Sequence, residues 1–258
     1  MSKLKASAVS VTLGGKQILD GIDAGFSSGR VTAIVGPNGA GKSTFLSCLC
    51  GLRQPSAGNV TLDNNLLSSF SPRERAQKIG LIPQNPEIAW AIDVLTVVQL
   101  GRTPYNGIAG LTAVDKLAVT SAMKETATTA FADRDVTTLS GGERARVILA
   151  RAIAGEPEWL LADEPFAGLD PGNQLEAADI FRRMVTDKGK GVIVTLHDLS
   201  LAARMANHIV VLAQGKIIAE GPPETALAPD ILARTYGVKT RFLKGSAGPV
   251  IEIVGRCD

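Results

Sequence analysis

Apolar and polar residues alternate along the first stretch of the chain, where Val9, Val11 and Leu13 share one side of a period of two before Gly14-Gly15 turns the backbone. That period predicts short strands at 8–13, 16–19 and 23–26, joined by tight turns. The alternation then gives way to an unbroken run, Val31-Thr-Ala-Ile-Val35, stopped by Gly36-Pro37. A strand with no polar face reads as a central parallel strand covered on both sides. Helical spacing follows at 43–51, and a short strand at 59–62. From 73 to 156 the pattern is mostly helical, broken at Pro83, Pro86 and Pro104. Beyond it, strands are predicted at 159–162, 191–196 and 208–212, an amphipathic helix at 174–187 and a helix at 199–205. Gln214-Gly215 sets up a hairpin with 216–219. The tail predicts a helix over 224–236 and strands at 240–243 and 250–254. Alternating strands and helices of this kind specify an α/β fold with a mostly parallel sheet.

Composition narrows the class. A chain of 258 residues, 45% hydrophobic and 20% charged, suits one globular domain with lobes. Aromatics at 4% argue against an aromatic-lined groove for single strands or sugars. A net charge of +2 with no basic block leaves no surface for neutralising nucleic acid, so no nucleic-acid partner is expected. No apolar run reaches the length of a membrane span. Lys3 and Lys5 precede small residues, but the alternation at Val9 to Leu13 marks a strand and not a secretion signal. Three cysteines are expected to be free thiols in a reducing compartment, with Cys48 and Cys50 buried on a helix.

Three segments carry chemistry. Gly36-Pro37-Asn38-Gly39-Ala40-Gly41-Lys42-Ser43-Thr44 fits G-x-x-x-x-G-K-[ST] between a buried strand and a helix. Gly39 and Gly41 let successive N–H groups converge on phosphate oxygens, and the helix N-terminus adds to that field. Lys42 would reach the β- and γ-phosphates, and the Ser43 hydroxyl would ligate Mg²⁺. Second, Trp159-Leu-Leu-Ala-Asp163-Glu164-Pro165 ends a buried strand in two acids, on a strand expected to run beside the phosphate loop. Asp163 suits the metal side, and Glu164 the attacking water. Third, Leu139-Ser140-Gly141-Gly142-Glu143 opens a basic helix and makes a second anion-binding N-terminus, which a single nucleotide does not need.

With these segments in order, the chain closely resembles the ATP-binding subunits of ABC transporters over nearly its whole length. Walker A lies at 36–44, the Q-loop at Gln84 and the signature at 139–143. Walker B runs through Asp163 and Glu164, the D-loop through Asp170, and the switch histidine is His197 in Thr195-Leu-His-Asp. The resemblance implies a P-loop NTPase (RecA-like) core with a mostly parallel sheet, an N-terminal antiparallel β subdomain and an inserted helical subdomain. It places the catalytic lobe at 1–84 and 157–222, the helical signature lobe at 85–156 and a short extension at 223–258. ATP and Mg²⁺ are the implied cofactors, with Ser43, Gln84 and Asp163 toward the metal. It further implies a head-to-tail homodimer in which Ser140, Gly141, Gly142 and Asp170 of one subunit complete the other's site. His197 would hold the γ-phosphate and water near Glu164. At Leu13, relatives usually carry an aromatic that stacks on adenine. An aliphatic contact there implies weaker nucleotide affinity, stacking being worth about 1–3 kcal/mol.

Within that family the chain lacks a membrane domain, so integral permease subunits are expected as separate chains, with a periplasmic or surface binding protein acting through them. The expected location is the cytoplasmic face of the bacterial inner membrane. Gln99-Leu-Gly-Arg102-Thr-Pro104-Tyr-Asn-Gly107 resembles the stretch found in ATPases of iron–siderophore, haem and cobalamin importers. Zinc, manganese and molybdate importers have similar ATPases, and an iron–sulfur assembly ATPase is a further alternative. The stretch between Gln84 and Ser140 is too short for the coiled coil of chromosome-maintenance members, and a single cassette does not suit translation factors. Residues 85–102, with Trp90, Val94, Leu95, Val97 and Val98, are expected to help form the groove that receives the permease, most of them as core of the helical lobe and an exposed minority lining the groove.

Overall fold

A computed structural model of the chain describes residues 1–86, 91–107, 110–245 and 248–257. The chain opens with β1 (Lys3–Leu13), β2 (Lys16–Ser27), β3 (Val31–Val35), α1 (Lys42–Leu49), β4 (Ala57–Leu62), β5 (Asn65–Leu66), α2 (Pro72–Lys78) and β6 (Ile79–Ile82). Three helices follow: α3 (Val94–Gln99), α4 (Ala113–Glu125) and α5 (Gly141–Ala154). The chain then alternates through β7 (Trp159–Asp163), α6 (Pro171–Thr186), β8 (Gly191–Leu196), α7 (Leu199–Met205), β9 (His208–Ala213) and β10 (Lys216–Gly221). It closes with α8 (Pro223–Ala226), α9 (Pro229–Tyr236), β11 (Val238–Gly245) and β12 (Gly248–Arg256).

Among the described residues, the strands form an antiparallel sheet ordered β2-β1-β4-β5, a central sheet ordered β10-β9-β3-β8-β7-β6 and the tail hairpin β11-β12. Strands β9, β3, β8, β7 and β6 run parallel, and β10 closes one edge antiparallel. Strand β3 is buried at every position because both faces of the central sheet are covered. On one face Val31, Ala33, Val35, Leu160 and Ala162 pack into a core shared with the helices α3 to α7. On the other, Ile34, Trp159 and Leu161 join Phe26, Phe45 and Leu49 from the antiparallel sheet and α1. Burying a side chain such as Phe26 contributes about 1.5–3 kcal/mol. Gly191 sits opposite Trp159 in the ladder, and a Cβ there would lie 2.4 Å from the indole ring.

Several predicted elements change. The strands expected at 16–19 and 23–26 are one strand, and β1 starts five residues earlier than the predicted strand, at Lys3. Its extra length alternates cleanly, Leu4 and Ala6 buried between exposed Lys3 and Lys5, with bulges absorbing the irregular register. Strand β6 lies inside the stretch expected to be mostly helical; four residues are too few to show a period, and its parallel ladder with β7 is what fixes it. The helix expected at 224–236 is two helices, the second restarted with Pro229 in its first turn. Finally, β7 does not neighbour β3, because β8 lies between them. The carboxyl ends of β3, β8, β7 and β6 therefore form one row along the sheet, the place where open α/β sheets bind ligands.

Candidate functional site

The phosphate-type loop leaves the end of β3 at Gly36, whose φ is 156°. A Cβ at Gly36 would lie 2.0 Å from the Leu212 carbonyl oxygen, so only glycine fits between the loop and β9. Gly39 and Gly41 both have positive φ, and Gly41 caps α1 with no side-chain hydrogen bond and no acid in the first turn. The helix N-terminus is thus left without an internal anion. Lys42 is 5% exposed, and its Nζ donates to the Gly36 and Pro37 carbonyls at 2.9 and 3.3 Å. Burial lowers its pKa, while the Glu164 and Asp163 carboxylates pull the other way. Leu13 ends β1 beside the hairpin turn and is one-third exposed.

Asp163 is the last residue of β7 and is buried. Glu164 turns off the strand with φ 49°, a left-handed conformation costing a non-glycine residue about 1–3 kcal/mol. Its carboxylate is held from two sides: Gln84 Nε2 donates to one oxygen at 2.8 Å, and His197 Nε2 makes a short hydrogen bond with the other. Gln84, Glu164 and His197 follow β6, β7 and β8, so the parallel ladder converts residues distant in sequence into one cluster. Thr195, the fifth residue of β8 and fully buried, links the two acids. Its hydroxyl donates to Asp163 Oδ1 at 2.6 Å and accepts from the Glu164 N–H at 2.8 Å. Thr195 opens the segment that carries His197, Thr195-Leu-His-Asp, but no role was expected of it. Its one signal was a hydroxyl inside the apolar run Val192-Ile-Val-Thr-Leu196.

The segment 139–143 is finished differently. Ser140 caps α5 in a capping box: its Oγ accepts from the Glu143 N–H, and Glu143 Oε2 accepts from both the Ser140 N–H and hydroxyl at 2.8 Å. Arg134 pairs with the other Glu143 oxygen at 3.2 Å. Asp170 caps α6, taking the Asn173 N–H at 2.9 Å and the Asn173 amide at 2.5 Å. Asn173 in turn accepts from Arg146 on α5 at 3.0 Å and packs against Gly142, where a Cβ would meet its side chain at 2.5 Å. A cleft of about 460 Å³ runs between Gln84, Gly141, Gly142, Arg146, Glu164 and Gly168. The structure thus brings Gln84, Glu164 and His197 into contact, with the start of α5 on the same cleft, whereas residues 36–44 do not line it.

The sequence profile of the ABC transporter family matches residues 19–167, more than half of the chain. The chain belongs to the ABC transporter family. It is 42% identical to the hemin import ATP-binding protein of Rhodococcus jostii, over 91% of this chain and 80% of that one. It is 33% identical to the ferric enterobactin transport ATP-binding protein of Escherichia coli, over 99% and 96% of the two chains. In three dimensions it superposes on a metal-chelate type ABC transporter solved in an inward-facing conformation, with a TM-score of 0.85, 23% identity and coverage of 99% and 98%. The fold is that of an ABC ATPase cassette, and ATP is what such a cassette binds and hydrolyses.

For this ABC ATPase the described apolar residues of 85–102 are mostly core, as expected. Val94, Val97 and Val98 are fully buried on the inner face of α3 and belong to the core, Leu95 is only partly exposed, and Trp90 lies outside the described residues. An open groove of about 420 Å³ includes Leu100 of this stretch and is lined also by Leu52, Arg75, Thr103 and Pro104 among others. Leu52 and Leu100 are 71% and 51% exposed there. Arg102 points inward: it is 3% exposed, pairs with Asp115 and Glu156 at 2.8 Å each, donates to the Ala154 carbonyl and stacks on Tyr105 at 3.8 Å. Asp115 is held at a pKa of about 2 by the Thr112 hydroxyl and N–H first, and by Arg102 after them. From α2, Arg73 and Gln77 donate to the carbonyls of Pro104, Tyr105 and Asn106. The segment is a clasp shaping one wall of the groove. Cys48 on α1 and Cys50, which caps its end rather than lying in it, are both buried, as expected, and burial pushes Cys48 up to about 11.

Among the described residues no helix is long and apolar enough to cross a membrane.

Proposed function

We propose that this chain is the ATP-hydrolysing motor of an importer for an iron chelate, haem or cobalamin, acting through separate permease subunits at the cytoplasmic face of the inner membrane. The observation that carries the mechanism is the Glu164 carboxylate poised between Gln84 and His197 at the end of the sheet. Relatives named for hemin and ferric enterobactin support the cargo class.

ATP enters with its phosphates in the loop 36–44, where Lys42 exchanges its two loop carbonyls for phosphate oxygens. The oxygen donors Ser43, Asp163 and Gln84 suit a hard divalent cation: Thr195 occupies one Asp163 oxygen and leaves the other, and Gln84 spends its amide N–H on Glu164 and keeps its carbonyl. Mg²⁺ held there would neutralise charge developing between the β- and γ-phosphates. Glu164 then accepts the proton of the attacking water, oriented by His197, which also reaches the γ-phosphate. Two subunits close head to tail, so that Ser140, Gly141 and Gly142 of one donate to the γ-phosphate in the other, and Asp170 links the sites. The groove at Leu52, Arg75 and Leu100 receives the permease.

The test is uptake of radiolabelled iron–siderophore, haem and cobalamin in cells lacking the chain and in cells carrying Glu164→Gln. One cargo lost in both strains is expected, with ATP hydrolysis by the purified variant down by about 10²–10⁴-fold. Normal uptake of all three would overturn the cargo assignment.

A further inference from the structure

We propose that Thr195 is a positioning residue that sets Asp163 and Glu164 as one unit, so that the metal-side oxygen and the water-side carboxylate are placed by a single hydroxyl. A threonine hydroxyl has one proton to give. Here that proton goes to Asp163 Oδ1 at 2.6 Å, while the oxygen accepts the Glu164 N–H at 2.8 Å. The order of the chain is therefore fixed: Glu164 N–H to Thr195 to Asp163. Two consequences follow. Asp163 is rotationally pinned, with its Oδ2 as the oxygen left to face a cation. Glu164 leaves β7 through a left-handed turn at φ 49°, and its N–H needs an acceptor in that conformation. Thr195 supplies it from the neighbouring strand, where the pairing Asp163↔Thr195 sets the two residues side by side.

The position is rigid as well as satisfied. Thr195 is 0% exposed, between fully buried Val194 and buried Leu196, and its β-branched side chain has little rotameric freedom in a strand. Two residues on, just past the end of β8, His197 meets the Glu164 carboxylate. The end of β8 and the residue after it thus fix Glu164 at both its backbone and its side chain.

This inference rests on the metal-side and water-side roles proposed above for Asp163 and Glu164. Outer partners of metal-ligating carboxylates contribute about 10–100-fold in metal affinity or activity. The experiment compares Thr195→Val, Thr195→Ser and Asp163→Asn as purified full chains. It measures the Mg²⁺ concentration that half-saturates binding of a fluorescent ATP analogue, alongside kcat and KM for ATP at saturating Mg²⁺. Thr195→Val is expected to raise the Mg²⁺ requirement by about tenfold and lower kcat by about 10–100-fold with KM little changed. Thr195→Ser is expected to restore both, since it keeps the hydroxyl. A folded Thr195→Val with a Mg²⁺ requirement and kcat within twofold of the parent overturns the proposal. If Thr195→Val does not fold, Thr195→Ala read against Thr195→Ser decides by the same criterion. Asp163→Asn separates the two levels: a shift there without one in Thr195→Val removes only the Thr195 role, and no shift in Asp163→Asn removes the Asp163 role and this inference with it.

Discussion

Two helix N-termini in this molecule follow segments of similar composition, glycines beside a serine or threonine, yet they are completed in opposite ways. The start of α1 is left open: Gly41 caps it without a side chain, no acid lies in its first turn, and buried Lys42 supplies positive charge against the loop's own carbonyls. The start of α5 is closed: Ser140 and Glu143 satisfy each other, and Glu143 brings a carboxylate to the helix N-terminus, itself paired with Arg134. The first is a phosphate cradle in waiting. The second already holds an anion of its own, and the Ser140 hydroxyl proton is given to Glu143. A phosphate arriving from a second subunit would have to displace that carboxylate or share the serine with it. An open cap suits a site that binds nucleotide by itself, and a closed cap one that stays quiet until a partner's nucleotide competes for it.

The largest expected contrast is between the glycines of the two sites. Gly36→Ala drives a Cβ to within 2.0 Å of a β9 carbonyl, which cannot move without disturbing the central sheet. It is expected to cost about 3 kcal/mol, the upper range for overpacking, and to abolish nucleotide binding. Gly142→Ala meets the Asn173 side chain at 2.5 Å, which can rotate away at the expense of its bonds to Asp170 and Arg146. That should cost about 1 kcal/mol and leave nucleotide binding by the single subunit intact. Urea midpoints and nucleotide titrations of both variants check this, and equal losses would remove the distinction between the sites.

Next in size is Ser140→Ala. Removing a serine N-cap costs about 0.5–2 kcal/mol of stability. The α1 end carries no side-chain cap to lose, so no comparable variant exists there. Hydrolysis in the assembled transporter should fall further than stability does, while nucleotide affinity of the isolated subunit stays unchanged. A fall in affinity in the isolated subunit would mean that the α5 end already serves its own chain's nucleotide.

The contrast also explains which parts of the molecule were legible in the sequence. Strand β8 and helix α7 fall at the predicted 191–196 and 199–205 because each is a clean run with a clear boundary, and Asp198 caps α7 just after His197. The phosphate loop was legible because its glycines answer a local backbone demand. What sequence did not show was contact between strands. Strand order decides that β8 separates β3 from β7, and only then does Thr195 come to lie beside Asp163. Asn173, which ties the start of α6 to α5, is hidden for the same reason. The valines at 94, 97 and 98 follow the i, i+3, i+4 spacing of the inward face of a helix and are core, as expected for most of that stretch. Leu52 and Leu100, apolar and exposed on the groove, carry no such spacing, and their meaning appears only where the fold sets them on one groove.

The smallest effect tests the closed cap alone. The Ser140 N–H first, then the Ser140 hydroxyl, and more weakly Arg134 hold the Glu143 carboxyl below its ordinary pKa. A group whose folded pKa is depressed stabilises the fold above its unfolded pKa, and the contribution is lost as pH falls through the folded value. Glu143→Gln keeps an acceptor for the box but removes both the negative charge and the titration. Near neutral pH the parent should therefore be slightly the more stable of the two, since its carboxylate also interacts with the helix N-terminus. Asp115, depressed to about 2 chiefly by Thr112, loses its contribution in acid equally in both proteins, so it cancels in the difference. Urea midpoints of parent and variant, measured in steps from pH 7 to pH 3, should converge as Glu143 protonates below the ordinary glutamate range. A gap that stays constant with pH would show that the Glu143 charge adds nothing to the closed cap, and the difference between the two helix ends would then rest on the glycines and Lys42.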